Sequence, residues 1–157
     1  MSNQITPMRQ LFEHKPEQGQ FGDCQRTAMA MVLGMKQTDV PNFGEYYSEP
    51  ELWANAMTEF LDEWGLFSID VPMMGDVSIE DAIACMRRWT GNNPFILGGR
   101  SIAGTNHAVV IDHTGTIIDP AGRPVPLVGP GTDGYWWFQC FGVKVGQCVP
   151  TFKGSSK

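Results

Sequence analysis

The feature that most constrains this chain is a change of pattern at Pro94. Before it, apolar residues recur largely at three- and four-residue spacing; after it, they fall into short runs cut by Gly, Pro and Asp. The helical spacing covers 24–35, where Thr27, Ala28, Met31, Val32 and Met35 form a stripe and Gly34 supplies a stop. It covers 50–64, with Pro50 in the first turn, a face of Leu52, Trp53, Ala56, Phe60, Leu61 and Trp64, and Gly65 behind it. It covers 78–91, where Ser78 with Asp81 three residues on approximates a capping box and Ile79, Ala82, Ile83 and Met86 form the buried face. Strand character belongs to LFSIDVPMM at 66–74 and then to PFILGGR, HAVVIDH, TIIDPAG and GYWWFQCFGVKV. Helices first and strands later predict an α+β fold with an antiparallel sheet, not alternating βαβ units.

A chain of 157 residues suits one domain, 1–157, with 1–17 as a polar arm anchored by Ile5, Met8, Leu11 and Phe12, and 151–157 as a loose tail. The net charge of −6 and the absence of any basic run of five or more residues argue against a nucleic-acid partner held by phosphate contacts. No apolar stretch reaches the length of a membrane span, and the opening MSNQITPMRQLFEHK lacks the apolar segment of a secretory signal. The expectation is a cytoplasmic protein, bacterial or phage-encoded, with neither membrane nor nucleic acid as partner.

Cys24, Cys85, Cys140 and Cys148 follow no CxxC spacing, and no HxxxH pair accompanies them. No structural zinc, no other cofactor and no disulfide framework is expected. Cys85 and Cys140 read as small buried hydrophobes, and Cys148 has no evident partner. Cys24 differs. The stretch QGQFGDCQRTAMAMVLGM, 18–35, brings a Gly-rich approach to Asp23 and then places Cys24 in the first turn of an apolar helix, with Asp23 or Gly22 as the cap. Unpaired N–H groups and the positive end of the helix dipole favour an anion there, and the thiolate is the reactive form of cysteine.

A nucleophile needs a base and an orienter. His107 opens the HAVVI strand and Asp119 closes the TIID strand, across a short DHTGT turn. Pairing Val109 or Val110 with Ile117 or Ile118 brings His107 beside residue 119 or 120. A histidine at a strand start and an aspartate before proline also serve purely structural ends. The competing histidines are His113, in the turn itself, and His14, among Glu13, Lys15 and Pro16; both read as solvated. An oxyanion donor beside the Cys24 N–H has two loop candidates, Gln18 and Gln20.

The order Gln18, Asp23-Cys24, Ala28, His107-Ala-Val-Val110 and Asp119-Pro-Ala-Gly122 resembles the papain-like cysteine peptidase superfamily, above all the bacteriocin-processing, double-glycine leader peptidases and their stand-alone relatives. The resemblance covers about a third of the chain, with Gln25 standing where those peptidases carry Gly. It implies a papain-like domain in which a helical N-terminal part carries the nucleophile helix onto a C-terminal antiparallel sheet. It implies Cys24 as nucleophile, His107 as general base and acid, Asp119 as orienter and Gln18 as oxyanion donor. The expected activity is hydrolysis of an amide or isopeptide bond in a peptide or protein substrate. Two alternatives stay open: acyl transfer to an amine on the same triad, and a catalytically idle domain binding a protein partner through Tyr46, Tyr47, Trp53, Trp136 and Trp137.

Overall fold

The computed structural model describes residues 4–146; Cys148 and the 151–157 tail lie outside them. Three helices and a five-stranded antiparallel sheet make a mixed α/β fold. The helices are α1 (Cys24–Leu33), α2 (Pro50–Glu63) and α3 (Ile79–Thr90). The strands are β1 (Leu66–Met74), β2 (Phe95–Arg100), β3 (Asn106–Ile111), β4 (Ile117–Ile118) and β5 (Tyr135–Val143), in the spatial order β1-β5-β2-β3-β4.

The two strands at the middle of the fold explain the apolar runs after Pro94. Along β2 and β3, Ile96, Ala108 and Val110 pack on one face against α1 and α2, while Phe95, Leu97, Val109 and Ile111 pack on the other against α3. Side chains alternate along a strand, so a strand covered on both faces is apolar at nearly every position. Phe138 of β5 joins the α3 side, its ring 5.6 Å from that of Phe95. β1 reaches the sheet from the first half of the chain and pairs along its whole length with β5, from Leu66 opposite Val143 to Met74 opposite Tyr135. One strand of the helical half thus forms an edge of the sheet, and α3 covers the face opposite α1.

Local readings hold with particular exceptions. Ser78 Oγ accepts the Asp81 N–H at 3.1 Å and caps α3. α1 is more deeply set than its stripe implied: Ala28, Met29 and Ala30 are all fully buried. In α2, Met57 enters the core and Leu52 points to solvent, because the helix contacts β1 and the 43–46 turn along one narrow side. The 36–50 segment contains two short 3₁₀ turns, Gln37–Asp39 and Phe43–Tyr46. Trp136 is buried with its indole N–H on the Val77 carbonyl, and Trp137 stays on the surface. The arm packs through Ile5 and Met8, whereas Leu11 and Phe12 are exposed and anchor by their backbone instead. No helix among the described residues is long and apolar enough to cross a membrane.

Candidate active site

Cys24 is the first residue of α1 and faces a cavity of about 440 Å³. Asp23 occupies the N-cap position, but its carboxylate does not cap the helix. It is fully buried and turned toward the arm. Oδ1 accepts the Leu11 and Phe12 N–H groups at 3.0 and 2.9 Å; Oδ2 accepts from Arg26 Nη2 at 2.7 Å and from Gln37 Nε2 at 3.2 Å. A buried carboxylate needs such a full set of donors to stay charged. The consequence is a rigid link between the arm and the residue before Cys24. The arm then continues to the other side of the site, where the Gln10 N–H donates to the Pro120 carbonyl at 3.0 Å.

The approach to Cys24 is tight. A side chain on Gly44 would run into the Gly22 carbonyl oxygen, and one on Gly22 would come within 2.9 Å of His14 Cβ. Asn42 ties the same layers, donating to the Phe21 carbonyl and accepting from the Gly44 N–H. Both glycines are there for close backbone approach.

His107 lies opposite, at the start of β3, 7% exposed. Val110 pairs with Ile118 and Ile111 with Ile117. Continuing that register sets Asp119 opposite Val109, so His107 meets Asp119 diagonally, two residues along. His107 Nε2 and Asp119 Oδ1 are 2.6 Å apart. Asp119 is held in turn by the Ala121 N–H on Oδ1 and the Arg123 N–H on Oδ2, each at 2.9 Å. With Nε2 engaged, Nδ1 is the ring nitrogen left for Cys24, which lines the same cavity. Burial works against a charge on His107, but the interactions with Cys24 and then Asp119 outweigh it and hold the imidazole above its ordinary value of 6.5. Burial also opposes the Asp119 carboxylate; the bonds from His107, Arg123 and Ala121 prevail and hold it below 3.8.

Cys24, His107 and Asp119 are therefore brought together, and Gln18 is not. Residues 15–20 close into a small hairpin, with Lys15 and Gln20 exchanging backbone hydrogen bonds at 2.8 and 3.1 Å. Gln18 is exposed on its 3₁₀ turn and does not line the cavity. Gln20 also stays outside, donating to the Glu13 carbonyl. His14, expected to be solvated, is half-buried and lines the cavity with Cys24. No local sequence signal marks it, because its ring is placed by residues distant in the chain. His113 is half-buried in the β3–β4 turn, with Nδ1 buried and unpaired and its carbonyl taken by Arg87. Gln25, also on the cavity, donates to Gln139 Oε1 on β5 at 2.6 Å and so joins α1 to the sheet.

The remaining wall is aromatic and small: Phe43, Tyr47 and Trp53 on one side, Gly98 and Ala108 on the other. Among the described residues, no Lys, Arg, Asp or Glu lines it. Cys85 and Cys140 are half-buried free thiols, and burial, with the Asp70 charge, pushes the Cys140 thiol up. Among the described residues, no group of three His, Cys, Asp or Glu side chains converges to hold a metal. No family model, curated protein or solved structure matches the chain.

Proposed function

We propose that this protein is a papain-like cysteine hydrolase that cleaves an amide or isopeptide bond in a peptide or protein substrate. The observation that carries the reading is His107, buried and bonded to Asp119, in one cavity with Cys24 at the start of α1. Asp119 fixes Nε2, which leaves Nδ1 facing the reaction. The Cys24 thiolate attacks the carbonyl carbon; a C–S bond forms and the carbonyl electron pair moves to oxygen. Collapse breaks the C–N bond as His107 gives its proton to the leaving amine. Water then attacks the thioester and yields its proton to His107. The second collapse breaks the C–S bond, releasing a carboxylic acid and the thiolate. The unpaired N–H groups at the start of α1 supply backbone donors for the oxyanion.

The test is selective labelling followed by turnover. Substoichiometric iodoacetamide at pH 7 is expected to alkylate Cys24 ahead of the other three cysteines, as read by peptide mass spectrometry, and His107→Ala is expected to remove that preference. Against a peptide-amide library, Cys24→Ala is expected to lose roughly 10⁴-fold or more in rate. Uniform slow labelling of all the cysteines, or full activity in Cys24→Ala, overturns the reading.

A further inference from the structure

The geometry points to His14 as the side chain that donates a hydrogen bond to the substrate's carbonyl oxygen in this cavity, the role that the family resemblance implies for Gln18. This inference rests on the hydrolase reading of the Cys24 site.

The Gly22 N–H donates to His14 Nδ1 at 3.3 Å. A backbone N–H can only donate, so Nδ1 accepts, and the ring hydrogen sits on Nε2. Nε2 has no protein partner among the described residues and is not sealed from solvent, so the ring keeps one free donor. The ring is also immobilised. Tyr47 meets it edge-on at 4.9 Å, Phe21 lies 6.4 Å away, and Gly22 packs so closely under His14 that no side chain fits between them. A fixed donor costs little reorganisation when charge develops on a carbonyl oxygen, which is what gives an oxyanion site its effect.

Position supports the same role. His14 and Cys24 line one cavity, and Gly22, the residue that orients the imidazole, is two positions before Cys24. One short backbone segment therefore sets both the thiol and the imidazole donor. Gln18 and Gln20 are held outside by the 15–20 hairpin.

A peptide aldehyde tests this without knowledge of the natural substrate. N-acetyl-leucyl-phenylalaninal adds the Cys24 thiolate to its aldehyde carbon, forming a C–S bond and placing negative charge on the oxygen; a proton from His107 can then neutralise it. Alkylation by iodoacetamide displaces iodide and develops no oxyanion, so it reports on the thiolate alone. His14→Phe keeps a ring against Phe21 and Tyr47 and removes the donor. The expected result is aldehyde affinity weakened about 10²-fold, with the Cys24 alkylation rate within about twofold of wild type. His14→Gln, which restores an N–H donor, is expected to recover at least part of the affinity and covers the case of a His14→Phe variant that folds poorly. Wild-type aldehyde affinity in His14→Phe with Cys24 still reactive overturns the role of His14 and leaves the hydrolase reading standing. Equal affinity of wild type and Cys24→Ala for the aldehyde overturns both.

Discussion

Asp23 and Asp119 are both buried carboxylates gripped by backbone N–H groups, one beside Cys24 and one beside His107. They differ in where the remaining lone pairs go. Asp23 gives every contact to the protein's own framework: two N–H groups of the arm, Arg26 and Gln37. Asp119 is steadied by Ala121 and Arg123 and aims Oδ1 at an imidazole on the cavity. The first arrangement fixes a backbone; the second sets the protonation and orientation of the His107 imidazole. Two aspartates of similar burial and similar turn-like surroundings thus take unlike parts because of what lies opposite them.

The sharpest way to break that contrast is to exchange the effects. Asp23→Ala strands Arg26 and two arm N–H groups, and is expected to lower unfolding free energy by about 3–5 kcal/mol in urea titration. Asp23→Asn is expected to retain part of that loss while leaving the His107 titration unchanged. Asp119→Asn is expected to cost about 10²-fold in kcat and to move the His107 titration downward, with a smaller change in stability than Asp23→Ala. An Asp23→Asn variant that shifts His107, or an Asp119→Asn variant that does not, removes the distinction.

The pH dependence follows from the same pair. His107 is held above 6.5, so its contribution to stability is complete below that value and fades as pH climbs through the higher folded-state value. Asp119 is held below 3.8, so its contribution is present above 3.8 and is lost as pH falls through the lower folded-state value. Unfolding curves of wild type and Asp119→Asn are expected to converge as the solution is acidified below that window. A constant gap would assign the difference to packing.

The tight approach to Cys24 ranks next. Gly44→Ala forces the 43–46 turn away from Gly22 and is expected to cost about 1–3 kcal/mol, with a slower Cys24 alkylation rate. The smallest effect is expected at Gln18. Its side chain is exposed, so Gln18→Ala should change stability by no more than about 0.5 kcal/mol and leave turnover essentially intact. A loss of about 10²–10³ in kcat would instead restore the oxyanion role that the family resemblance implies for it.

What could be read in the amino-acid order was whatever local physics settles. The helix at Cys24 follows from its apolar periodicity and its Gly34 stop. The meeting of His107 and Asp119 follows from a hairpin whose register is set over a few residues, with Asp112 Oδ1 taking the Thr114 and Thr116 N–H groups and the Gly115 N–H closing on the Asp112 carbonyl. The tertiary structure alone decided the rest. Asp23, legible as a helix cap, became a clamp because residues 11 and 12 return to it. β1 left the helical half to pair with β5. Gln18 was carried out of the site by a hairpin, and His14 was carried in by Gly22, Phe21 and Tyr47. Periodicity and turn chemistry act over neighbouring residues. Which loop residue fills a cavity depends on chain segments tens of residues apart closing on one another, and no local pattern records that closure.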